Sequence, residues 1–250
     1  MTCKNCGNEF EGDYCNHCGQ SSKVQRINWN YLKNSIADNV FQINHGFLYT
    51  VKVLLLSPGK SLNDFFNGKR TKFYKPFAFL LISSTIFLLS TKLIGNDTFV
   101  DDFLSGVRNG ASDNLNQTVN FEILDFLSNN QTYVFLSFVP LFALAAFITF
   151  RKNGYNFSEH LIINLYITGE QLLIYTLFSF IQDRNSIITV VPLLLGFLYN
   201  WYVYNRLFSE LSWTNKNLKL LVSYVIYLTL LVVTLMLLLI LILIATKILK

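Results

Sequence analysis

Five apolar runs of close to twenty residues govern what this chain can become: Pro76 to Ile94, Tyr133 to Phe150, Leu161 to Ile181, Ile187 to Tyr204 and Leu218 to Ala245. About twenty apolar residues carry an α-helix across roughly 30 Å of hydrocarbon. Inside a bilayer every backbone amide must find its partner within the protein, so spanning segments of this kind are helices. The last run exceeds what a crossing requires, so it tilts or extends beyond the bilayer. Composition agrees, since 14% of residues are charged where a soluble domain carries about 25%.

Basic residues in the loops set the expected orientation, because Lys and Arg flanking a span stay on the cytoplasmic side. Ten of the twenty precede the first run, four of them within KRTKFYK (Lys69 to Lys75). The loop 95–131 carries six acidic residues and Arg108 as its one base, and reads as exported. The following loops carry Arg151 and Lys152, then Asp183 and Arg184, then Arg206, Lys216 and Lys219. The alternation predicts a cytoplasmic N-terminus and, after five crossings, an exterior C-terminus. Lys247 and Lys250 are the residues that disagree.

All four cysteines lie in the first twenty residues, as two Cys-x-x-Cys-Gly pairs: Cys3 with Cys6, and Cys15 with Cys18. A tetrahedral Zn²⁺ needs four soft ligands at about 2.3 Å, and two such knuckles supply them. Gly7 and Gly19 follow the second cysteine of each pair, where a tight turn favours positive φ. A disulfide framework suits a secreted chain, and a thioredoxin-type pair needs a βαβ setting; neither context is present. His17 lies inside the second knuckle, but four thiolates already close the site. The predicted cofactor is therefore structural Zn²⁺, which offers no open position for substrate.

Between the knuckles and the first span, SSKVQR reads as a linker, and Trp29, Leu32, Ile36, Val40 and Ile43 form a narrow apolar stripe at helical spacing. Gly46 to Leu56 is a second apolar stretch. Ser57 and Pro58 then open a short helix that Gly68 can end. These helices suit the inner-leaflet surface, with Lys69, Arg70, Lys72 and Lys75 beside anionic headgroups. The alternative is a small helical layer packed over the spans. Nucleic acid is not an expected partner, because the positive-inside pattern already accounts for the basic cluster.

These residues carry a resemblance. CxxCG…YCxHCGQ, then GFLYTVKVLLLSPGKSLNDFFNGKRTKFYKPFAFLL, then FSEHLIINLY together resemble an uncharacterised family of bacterial inner-membrane proteins, a domain of unknown function. The matching positions are Cys3, Cys6, Cys15, Cys18, Gly46, Thr50, Pro58, Gly59, Gly68, Lys69, Arg70, Tyr74, Pro76, Glu159 and His160. The resemblance implies location and architecture and brings no activity.

Within the third run Glu170 and Gln171 form a candidate intramembrane polar site. A carboxylate at mid-bilayer costs roughly 2.5–3.5 kcal/mol on insertion scales and so faces a partner or a cavity. It is either a proton or cation site, or a protonated group hydrogen-bonded to Asn164, Thr168, Asn200 or a tyrosine. Glu159 and His160 form a candidate interface pair at the mouth of the same run, with Ser158-Glu159 as helix opening. Gly196 and Pro192 suit close packing or a kink. No catalytic constellation is present.

The expected fold class is an all-α membrane protein: a zinc ribbon at 1–20, linker and amphipathic helices at 21–75, and a transmembrane domain at 76–250. The function expected is a non-catalytic adaptor or assembly protein of the bacterial inner membrane, with the bilayer and a protein partner, or a second copy, as its contacts. A small transporter or channel subunit using Glu170 is the alternative, and an intramembrane enzyme the third.

Overall fold

The computed structural model describes residues 1–37, 46–95, 98–114, 122–181 and 191–248. Among them the regular structure is helical: α1 (Trp29–Ala37), α2 (Gly46–Leu56), α3 (Pro58–Phe66), α4 (Pro76–Ile94), α5 (Phe99–Asn114), α6 (Glu122–Asn129), α7 (Gln131–Phe150), α8 (Phe157–Ser179), α9 (Val191–Leu207) and α10 (Trp213–Ile248).

Among the described residues, four helices are long and apolar enough to cross a membrane: Pro76–Ile94, Gln131–Asn153, Phe157–Ser179 and Trp213–Leu237. The chain is a multi-pass membrane protein. The expected span 187–204 is described only in part. Residues 187–190 lie outside the described residues, and the described helix, α9, has 17 residues, or about 26 Å at 1.5 Å per residue. Asn200, Asn205 and Arg206 make its second half polar. It nevertheless runs back along α8, where Gln171 Nε2 donates to Gly196 O (2.7 Å) and Asn164 Nδ2 to Tyr204 Oη (3.2 Å). Phe208 then stacks on Phe150, with ring centroids 4.4 Å apart, at the end where α8 begins.

The centre of the bundle is the parallel pair α4 and α8. Tyr166 Oη donates to Tyr74 O (2.7 Å) at one end, and Ser179 Oγ to Ser90 Oγ (3.0 Å) at the other. Small residues let the two helices meet: a Cβ on Gly169 would stand 2.6 Å from the Phe79 ring and 3.4 Å from Ser83 Oγ. Without a hydrophobic drive between helices in lipid, such close packing is what holds them. α7 lies antiparallel to α8, Phe147 meeting Phe157 and His160. α10 lies against α7, through Lys219 Nζ to Asn153 Oδ1 (2.7 Å) and through Tyr224 and Tyr227 on Phe142. Its outer side, including Leu221, Val225, Leu228 and Val232, is exposed, as a lipid-facing helix requires.

The acidic loop is itself helical in part. Thr98 and Asp101 cap α5 reciprocally, Thr98 N donating to Asp101 Oδ2 (2.8 Å) and Asp101 N to Thr98 Oγ1 (3.2 Å). Burial would raise the Asp101 carboxyl, but hydrogen bonds from Ser128 and Thr98 outweigh it and hold its pKa low. Thr98 Oγ1 also donates to Gln131 Oε1 (2.7 Å), tying α5 to the start of α7.

At the opposite end α2 and α3 lie across the bundle. Thr50 and Leu54 of α2, and Leu62 and Phe65 of α3, are buried against it. The carbonyls left open where α2 ends are met by α9: Tyr199 Oη donates to Leu54 O (3.3 Å) and Tyr202 Oη to Leu56 O (3.1 Å). The other face of α2 exposes Leu48, Leu55 and Leu56. One side of this layer is therefore packed on the bundle and the other open. In α1 Leu32 is buried and Trp29 exposed; Val40 and Ile43 of the predicted stripe lie outside the described residues.

Candidate metal centre and membrane-embedded polar sites

The two knuckles have matching backbones. Gly7 N donates to Cys3 O (2.9 Å) and Gly19 N to Cys15 O (2.8 Å); Cys3 N reaches Asn8 O and Cys15 N reaches Gln20 O. Gly7 and Gly19 take φ of 76° and 70°, the left-handed values expected for them. Single β-bridges, Thr2 with Glu9 and Tyr14 with Ser21, close the two loops.

This repeat brings the four Sγ atoms within 4.8 Å of one another, with Cys3 and Cys18 at 3.5 Å and Cys6 and Cys15 at 3.7 Å. Sulfur atoms about 2.3 Å from a tetrahedral centre lie about 3.8 Å apart, so the cluster can hold a metal ion. Burial raises the Cys15 thiol, but backbone N–H groups of Cys18 and His17 and the neighbouring thiols outweigh it and bring it to about 6. His17 is exposed and stands outside the cluster.

The segment that reads as a linker is a clasp. Arg26 donates through Nε to Glu159 Oε1 (2.9 Å) and through Nη2 to Glu159 Oε2 (2.8 Å), a two-pronged ion pair, and also reaches Gly154 O. Ile27 is fully buried, and its carbonyl accepts from Asn156 Nδ2 (2.8 Å). The start of α8 corrects the expected opening: Asn156, not Ser158, is the N-cap. Its Oδ1 accepts from Glu159 N (2.9 Å), while Glu159 Oε2 accepts from Asn156 N (2.8 Å). That capping box places Glu159 inside the first turn, so one carboxylate both caps α8 and holds Arg26. Arg26 and Asn156 escaped sequence reasoning, although Asn-x-x-Glu before an apolar run was a visible cue.

The four basic residues separate. Lys69 pairs with Asp64 (2.7 Å) and Lys72 is exposed. Lys75 caps α4 ahead of Pro76. Arg70 turns into the fold, donating to Phe65 O and Gln25 O (both 3.0 Å) with its guanidinium 4.7 Å from the Tyr31 ring centre. Burial lowers its pKa. Lys69, Lys72 and Tyr49 share a cleft of about 440 Å³ with Cys6, His17 and Cys18.

Deeper in α8, Glu170 has no exposed surface, and neither carboxylate oxygen has a hydrogen-bond partner among the described residues. The expected bond to Asn164 is absent, for Asn164 Nδ2 donates to His160 O (2.8 Å) and to Tyr204 Oη. Gln171 faces the other way, onto α9. His160 is fully buried, stacked near Phe208 and edged by Phe147 and Tyr155, with both ring nitrogens unbonded among the described residues. Glu159 and His160 thus part company, one clamped at the surface and the other enclosed by rings. Gly196 admits Tyr175, whose hydroxyl occupies the place a Cβ would take, so close packing is its use.

No curated protein and no solved structure matches the chain. Residues 44–88, which include α2, α3, the basic loop and the first part of α4, match the family described as Protein of unknown function (DUF3667).

Proposed function

We propose that this protein is a non-catalytic adaptor or assembly factor of the bacterial inner membrane, whose N-terminal ribbon holds a structural Zn²⁺ on the cytoplasmic side. The observation that carries this reading is the closed four-thiol cluster on a clasped ribbon. Four converging sulfurs leave a tetrahedral ion no position for substrate. The clasp fixes the ribbon's place on the bundle while Tyr14 stands 67% exposed, the kind of rigid aromatic that anchors protein contacts. Zn²⁺ is favoured among metals because four thiolates suit it and no water ligand is required. The positive-inside pattern of the loops supports the cytoplasmic placement.

A second reading, a transporter subunit, is favoured by one observation: Glu170 sits at mid-span with neither oxygen partnered among the described residues. Complementation separates the two. In cells lacking the gene, the adaptor reading expects Glu170→Gln to restore the phenotype and the chain lacking residues 1–20 to fail. Rescue by the ribbonless chain with failure of folded Glu170→Gln overturns it. A photo-crosslinker at position 14 should give a discrete adduct in wild type that disappears in Cys15→Ser.

A further inference from the structure

Between α7, α8, α9 and α10 lies a cavity of about 240 Å³ at membrane depth. Its walls are mainly rings, among them Phe142, Tyr175, Tyr224 and Tyr227, and its polar lining includes Gln171 and Asn200. Among the described residues, no charged side chain lines it. Phe197, one of its lining residues, is 45% exposed, so the cavity is reached from the outer surface of the bundle.

Two polar atoms here have no partner among the described residues. Asn200 is 6% exposed and its Oδ1 is unbonded; the Tyr224 hydroxyl is buried and unbonded as well. An unbonded amide or hydroxyl in an apolar setting costs free energy, and a bound molecule that supplies the missing bond removes that cost. A half-turn of the Asn200 amide exchanges its donor and acceptor ends. A ligand hydroxyl, which both donates and accepts, meets either end.

Size narrows the class. An apolar cavity of about 150 Å³ takes benzene, so this larger one takes a single ring with a small substituent. Aromatic walls favour a flat ring, through offset or edge-on contacts. The absence of charge in the lining selects an uncharged molecule. We propose that this cavity binds a neutral, hydroxyl-bearing six-membered ring of the phenol or quinol class, taken up from the bilayer. The site is independent of the ribbon and of Glu170, and it gives the membrane domain a ligand of its own.

Fluorine NMR on the full chain in nanodiscs, with 4-fluorophenol and fluorobenzene as probes and empty nanodiscs as background, tests this. Wild type should broaden the 4-fluorophenol line saturably and bind it about tenfold more tightly than fluorobenzene, the effect of one good hydrogen bond. Asn200→Leu should lose that advantage yet keep fluorobenzene binding, which also certifies that the cavity survives. Thr168→Phe, which fills the cavity from α8, should lose both probes. Equal affinity of wild type for the two probes, an unchanged 4-fluorophenol constant in Asn200→Leu, or saturable binding persisting in Thr168→Phe would overturn the proposal.

Discussion

Cutting the clasp at Arg26 should free the segment between ribbon and bundle without disturbing the spans. The Glu159 side chain is 4% exposed and the Arg26 side chain 63% exposed. A fully buried pair broken on one side costs about 3–5 kcal/mol, but water can refill the exposed arginine position, so the cost falls toward the surface-pair range. About 1–2 kcal/mol is expected for Arg26→Ala, which corresponds to roughly 5–30-fold more of the open form. Trypsin cleavage after Lys23 reads that population when opening is fast relative to cutting. Glu159→Gln keeps the capping box, since glutamine serves at that position, and should match Arg26→Ala. Glu159→Ala also removes the acceptor of the Asn156 N–H, about 1 kcal/mol more, and should speed hydrogen exchange at the Asn156 amide. The double variant Arg26→Ala with Glu159→Gln should be no worse than either single one. Cleavage after Lys23 unchanged in Arg26→Ala, or additive losses in the double variant, would refute the clasp.

Other outcomes follow from the same contacts. Purified protein prepared without chelators should contain one zinc per chain by elemental analysis, and Cys15→Ser should lose it and expose residues 1–20 to proteolysis while the helical circular dichroism changes little; metal-free wild type that resists cleavage there would contradict this. Gly169→Ala drives a Cβ into the Phe79 ring and should cost about 1–3 kcal/mol by overpacking, read as faster unfolding of the purified protein in a denaturant series. A loss no greater than that of Gly110→Ala, where a Cβ meets nothing within 4 Å, would show that α4 and α8 are not closely packed. Cysteine labelling in intact cells should find positions 152 and 216 cytoplasmic and positions 113 and 250 exterior; a cytoplasmic 250 would mean that α9 does not cross.

Much of this architecture is a property of local sequence. Apolar length alone identifies α4 at Pro76–Ile94, because proline at its first position and glycine after its last punctuate it. The doubled Cys-x-x-Cys-Gly spacing identifies the four-thiol cluster, because each knuckle closes on itself through bonds within a few residues. What the tertiary structure alone decided are relations between distant segments. Arg26 looks like any linker arginine until Glu159, 133 residues away, receives it. Arg70 reads as a headgroup ligand, yet Gln25, Phe65 and Tyr31 converge on it and turn it inward. A local pattern also cannot say which face of α8 a neighbour will occupy. Glu170 and Gln171 are adjacent in sequence, but helical geometry turns them about 100° apart, so one stays enclosed with no partner among the described residues while the other binds α9. Periodicity and spacing act over a few residues and are legible one segment at a time; the pairing of buried charge and the cavity beside Asn200 arise only once four helices meet.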